Sequence, residues 1–109
     1  MKDYIQVMTT VEDQAQAEKV AETLVAAKLA ACVQVVGPIT SYFRWQGKNE
    51  KSTEFLCLIK SRRYLYEKIE SEIKKVHPYE VPEILAVPLV AGSADYLRWL
   101  AAEIKEEDV

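Results

Sequence analysis

His77, Tyr79, Glu80 and Glu83 fall in one short run, His77-Pro78-Tyr79-Glu80-Val81-Pro82-Glu83-Ile84. The run holds the only histidine of the chain and two of its four prolines, so ionisable groups and backbone restriction coincide. Histidine is the side chain whose ordinary pKa lies nearest neutrality, and an acid-base or ligand-binding corner is the chemistry it offers. In extended chain Tyr79, Val81 and Glu83 share one face while Glu80 points to the other, so the two carboxylates do not form an obvious pair. The competing reading is a helix end, where a histidine interacts favourably with the last carbonyls and the dipole.

A metal site would draw on soft ligands: His77 and Cys32 first, with Cys57 and Met8 as the remaining candidates. Their spacing contains no C-x-x-C, no H-E-x-x-H and no histidine pair. Both cysteines lie in apolar runs and read as buried, reduced thiols. Neither has a nucleophile motif around it, and three isolated glycines provide neither a P-loop nor G-x-G-x-x-G. The chain is therefore read as a non-enzyme with no firm cofactor. Trp45 and Trp99 suit stacking on a ligand and packing in an interface equally well.

Composition narrows the partners. A net charge of -3 argues against nucleic acid, whose phosphates need a basic face, and the cluster Lys60, Arg62, Arg63 reads as solvated surface. No apolar run approaches a membrane span. Met1-Lys2-Asp3-Tyr4 shows no basic and then apolar leader, which with the free thiols sets the expectation of a cytoplasmic protein. With 109 residues, 50% apolar and 28% charged, one soluble domain spanning 1–109 is expected.

The elements that must position the candidate residues follow from periodicity. Tyr4 to Met8 alternates as a strand ended by Thr9 and Thr10, and a helix from about Asp13 places Ala17, Val20, Ala21, Leu24 and Ala27 on one stripe. Ala30 to Trp45 is β-branched and aromatic, with a bulge or bend at Gly37-Pro38. A turn over Gln46-Gly47-Lys48-Asn49 leads to a strand from Glu54 to Lys60. Ser61 caps a second helix with the stripe Leu65, Ile69, Ile73, Val76, stopped by Pro78. A strand from Ile84 to Val90, interrupted or edged at Pro88, precedes a helix capped by Ser93 with the stripe Leu97, Leu100, Ile104.

The order β-α-β-β-α-β with an extra C-terminal helix gives an α+β, ferredoxin-like domain: a four-stranded antiparallel sheet with two helices on one face. The strands are apolar on both sides, so the open face needs a partner. Ala30 to Trp45 also outruns a typical strand of about 17 to 20 Å, so its aromatic end, with Phe43 and Trp45 on one face and Tyr42 and Arg44 on the other, overhangs the domain. A specific homo-oligomer is the expected solution.

Taken in order, Leu29-Ala30-Ala31-Cys32, Ser41 with Trp45 and Gly47, Glu54 and Lys60, the run His77 to Ile84, and Tyr96 with Trp99-Leu100 resemble the CutA divalent cation tolerance family. The resemblance covers nearly the whole chain. It implies a homotrimer similar to the PII signalling proteins, with extended hairpins pairing between neighbours. It also implies a cleft where the H-P-Y segment of one subunit meets the next hairpin, bringing Trp45, Lys60 and Glu83 within reach of His77 and Tyr79. The function implied is a response to metal ions with weak binding of copper or another divalent cation. The alternative is a PII-like regulatory trimer holding a small molecule or protein partner in its clefts. The chain departs from copper-binding members at Thr9, in place of a first-strand cysteine, and at Val76, in place of a first histidine. Phe43 stands where tyrosine is usual.

Overall fold

The computed structural model describes residues 3–108; Met1, Lys2 and Val109, the ends of the expected 1–109 domain, lie outside the described residues. Strand β1 (Tyr4–Val11) leads into helix α1 (Gln14–Ala26), where Asp13 takes the cap position and its carboxylate accepts a bond from the Gln16 amide. Strands β2 (Cys32–Trp45) and β3 (Lys48–Arg62) form a long hairpin. Helix α2 (Tyr66–Val76), strand β4 (Ile84–Pro88) and helix α3 (Ala94–Glu103) complete the chain. The strands pair antiparallel in the order β2-β3-β1-β4. This is the ferredoxin-like arrangement expected from the element order.

Alternation assigns the faces. Ile5, Val7 and Val11 of β1 and Cys57 and Ile59 of β3 point to one side, where Ala17, Val20 and Leu24 of α1 and Ile69 and Ile73 of α2 bury them. Burying each large aliphatic side chain of this set contributes about 1.5 to 3 kcal/mol. Helix α3 closes the Tyr4 end of the sheet: the Tyr4 hydroxyl donates to the Leu97 carbonyl at 3.1 Å, and Leu100 and Ile104 are buried. Ser93 accepts the Tyr96 amide at 3.2 Å as the cap of α3.

Several boundaries differ from the sequence expectation. Strand β1 runs on through Thr9, Thr10 and Val11 because β3 pairs with it as far as Phe55. Ser61 is not a helix cap: it is buried in β3, and its hydroxyl donates to the Leu29 carbonyl at 2.6 Å. A single 3₁₀ turn, Arg63–Leu65, then starts α2. The turn is only Gln46-Gly47, both at positive φ (50° and 79°), the conformation that two-residue hairpins require. Lys48 and Asn49 already belong to β3. Strand β4 stops at Pro88, which cannot donate to the ladder.

The bulge falls where Gly37-Pro38 placed it: the β2–β3 register shifts between Val36 and Ile39. Beyond it the hairpin leaves the body. The radius of gyration is 14.5 Å and the longest axis 44 Å, against about 13 Å expected for a compact chain of this length. Tyr42 (76% exposed), Phe43 and Trp45 stand on this arm in solvent.

Candidate functional site

Helix α2 ends at Val76 because Pro78 lacks an amide hydrogen and restrains the residue before it, so His77 turns to extended backbone. Its amide still bonds the Ile73 carbonyl at 2.9 Å, and the imidazole is carried inward, 9% exposed. Nε2 lies 2.8 Å from the Thr10 carbonyl, and Nδ1 accepts the Tyr79 amide at 3.2 Å. A carbonyl only accepts and an amide only donates, so these partners together fix the neutral Nε2–H tautomer. The ring thus ties the end of α2 to β1. It is a helix-terminating histidine, as one sequence reading held, but its ring bonds a strand carbonyl rather than those of its own helix.

Tyr79 packs edge-on against His77, with ring centroids 4.7 Å apart, and its hydroxyl donates to the Glu54 carboxylate at 2.9 Å. Burial is the largest influence raising the Tyr79 pKa above its ordinary value, followed by the bond to Glu54 and that carboxylate's charge, with Glu12 and Asp13 adding to them. Glu54 is itself buried, 7% exposed. It is the member of the site that sequence reasoning missed. The available signal was a lone carboxylate opening the apolar strand Glu54-Phe55-Leu56-Cys57-Leu58-Ile59.

The remaining candidates lie elsewhere in the subunit. Glu83 is exposed just before β4, at the same end of the sheet as His77. Lys60 is six residues along β3 from Glu54, about 20 Å, and its ammonium donates to Gln34 at 2.8 Å. Trp45 pairs with Lys48 at the hairpin tip, about 20 Å from Glu54 in the other direction. One chain therefore unites His77, Tyr79 and Glu54 but not Trp45 or Lys60. Arg62, read as solvated, is half-buried: it pairs with Asp3 and stacks over Tyr4 and Tyr64, its guanidinium carbon 4.8 and 5.5 Å from the ring centroids. Arg63 pairs with Glu67 on the surface.

These residues do not fit a tight metal centre within one subunit. Both ring nitrogens of His77 are used, and no group of three His, Cys, Asp or Glu side chains able to hold a metal occurs among the described residues. Cys32 pairs with Lys60 while Thr10, whose carbonyl holds His77, pairs with Leu56, so Cys32 stands four residues, about 13 Å, along the strands from the point where His77 is anchored. Cys32 is half-buried rather than buried, beside the Tyr96 hydroxyl. Cys57 is fully buried, 3.8 Å from the Ala17 carbonyl, and burial pushes its thiol up to about 11. Met8 lies on the opposite sheet face from Cys57.

No helix of the described residues is long and apolar enough to cross a membrane. Residues 5–103 match the family described as CutA1 divalent ion tolerance protein. The divalent-cation tolerance protein CutA of Thermus thermophilus is 42% identical over 94 residues, 86% of this chain and 91% of that protein. The chloroplastic protein CutA of Arabidopsis thaliana is 41% identical over 96 residues, covering 88% of this chain and 53% of that longer protein. The crystal structure of CutA1 from Oryza sativa superposes with a TM-score of 0.93 at 35% identity, covering 97% of each chain. The fold as a whole is thus that of a known kind of domain, and the chain belongs to the CutA1 divalent ion tolerance family.

Proposed function

We propose that the chain serves divalent cation tolerance in the cytoplasm as a homotrimer without enzymatic activity. The observation that carries this reading is the uncovered face of the sheet. By register, Met8, Val36, Leu56, Leu58, Leu85 and Val87 share the side opposite α1 and α2, one apolar patch across all four strands. Leu85 is 55% exposed, Val36 43% and Val87 40%. A patch of this kind marks an interaction surface, and three copies meeting on it bury it. The aromatic hairpin arm supplies a second contact between neighbours.

Acid-base chemistry has little support, because His77 is engaged at both nitrogens and Tyr79 keeps its proton against Glu54. Contact with copper or another divalent cation is weak on this reading. A cation at Nδ1 of His77 would displace the Tyr79 amide, and leaving that donor unpaired costs about 1 to 3 kcal/mol. Exposed Glu83, at the same end of the sheet, is the carboxylate this reading assigns to share it, and Cys32 would join only from a neighbouring subunit. The free thiols support the compartment.

A second reading is favoured by the engagement of His77: a PII-like regulatory trimer whose clefts hold a small molecule or a protein partner. The two readings separate in one set of measurements. Light scattering should give three times the 12.4 kDa chain mass, and a monomer would refute the assembly. Calorimetric titration with copper(II) and zinc(II) should show weak binding reduced in His77→Ala. Equal binding by both proteins would remove the metal site and leave the regulatory reading.

A further inference from the structure

The three segments that converge on Tyr79 and Glu54 are uniformly anionic. Residues 9–18, 52–59 and 76–84 contain Glu12, Asp13, Glu18, Glu54, Glu80 and Glu83 and no lysine or arginine. Glu54 is the buried member, and among the described residues its carboxylate has a neutral donor, Tyr79, and no ion pair. A buried carboxylate without a cation is costly, and the described residues supply none there. The hairpin arm carries the opposite sign. Between Tyr42 and Lys51 stand Arg44, Lys48 and Lys51 against the single carboxylate Glu50. Arg44 is spent on the turn, donating to Asn49 and to the Gly47 carbonyl. Lys48 and Lys51 are exposed and form no ion pair among the described residues; the Lys51 ammonium rests only 5.9 Å above the Tyr42 ring.

We infer that the anionic corner is completed by the hairpin of a second copy of this chain, with Lys48 or Lys51 of one copy placing its ammonium against the Glu54 carboxylate of the next. The two lysines project from opposite faces of β3, so one of them takes this role. Each copy offers one arm and one corner, a head-to-tail contact that closes as a ring. The inference rests on the homo-oligomer proposed above and adds to it the residues that set its polarity and its salt dependence. Glu54 is then complete only in the assembly.

The test uses the full chain. Light scattering and sedimentation of the unaltered protein come first; a monomer at every concentration overturns the oligomer reading itself, before any variant is made. With an oligomer in hand, Glu54→Gln, Lys48→Glu and Lys51→Glu are compared for dissociation at low and high salt, with circular dichroism confirming that each is folded. Glu54→Gln and one of the lysine variants should each raise the concentration for half-dissociation about tenfold or more at low salt, with less effect at high salt. The double variant of that lysine and Glu54→Gln should be no worse than the more severe single one. Dissociation unchanged in Glu54→Gln and both lysine variants overturns the inference while leaving the oligomer standing. Magnesium or copper that stabilises the unaltered protein but not Glu54→Gln, with both lysine variants unchanged, assigns the corner to a cation and overturns it as well.

Discussion

The imidazole Nε2 of His77 lies 2.8 Å from the carbonyl oxygen of Thr10, across 67 residues of sequence, and joins the end of α2 to the end of β1. Its other nitrogen receives the Tyr79 amide. One side chain therefore satisfies a strand carbonyl and shapes the proline-rich corner in which Tyr79 meets Glu54.

Replacing His77 by alanine should remove both bonds and leave the Thr10 carbonyl without its partner. The expected loss is about 1 to 3 kcal/mol, the usual cost of stranding a buried polar group. Urea unfolding should show a lower midpoint at an unchanged slope. A midpoint equal to that of the unaltered chain would mean that the tether contributes nothing to stability.

Ser61 offers a similar case in the body of the sheet. Its hydroxyl donates to the Leu29 carbonyl at 2.6 Å, fully buried, where the chain leaves α1 through Lys28 at a φ of 59°. Ser61→Ala should cost about 1 to 3 kcal/mol and loosen the α1–β2 connection. Faster amide exchange at residues 28–31 would be the local signature. Were Ser61 a helix cap, the change would appear at the start of α2 instead.

Alkaline pH should destabilise the fold through two groups. Burial raises the Cys57 thiol from 9.0 to about 11 and is also the largest influence raising Tyr79, whose bond to Glu54 adds to it. For both, the folded state keeps its proton to higher pH than the unfolded chain does, so stability is flat below about pH 9 and falls as pH rises toward 11 and beyond. Cys57→Ala should flatten part of that fall. A melting temperature constant from pH 8 to 11 in the unaltered protein would contradict the assignment. At pH 8 a thiol reagent should modify half-buried Cys32 before Cys57.

What the sequence made legible follows from which patterns one chain carries. The helix stripes, the Ser93 cap, the bulge at Gly37-Pro38 and the overhanging arm are written in local residue types, and each stands where those types put it. The outer half of β3 was not legible, because Lys48 to Thr53 is polar on both faces and leaves no hydrophobic alternation to read. Ser61 misled because serine before a helical stripe is also the pattern of a cap, and only the Leu29 carbonyl, brought in by the fold, shows otherwise. In the site, Pro78 announced the end of α2, but Thr10 and Glu54 could not be named as partners of His77 and Tyr79. Those bonds depend on how β1 and β3 are brought past the corner, which no spacing within residues 77–84 encodes.

The bulge offers the sharpest packing test. Gly37 is not held at positive φ, so the reason for glycine there is space rather than backbone strain. A Cβ at this position would fall 2.3 Å from the Phe55 ring, well inside contact distance, and Phe55 is packed against the core. Gly37→Ala should therefore cost about 1 to 3 kcal/mol by overpacking, unless the ring moves. Phe55→Leu shortens the side chain and removes the clash at its own cost in buried surface. The two changes touch each other, so they should be non-additive: Gly37→Ala should cost clearly less in the Phe55→Leu background than in the unaltered chain. Equal costs in both backgrounds, measured by urea unfolding, would show that something other than the Phe55 ring demands glycine at the base of the arm.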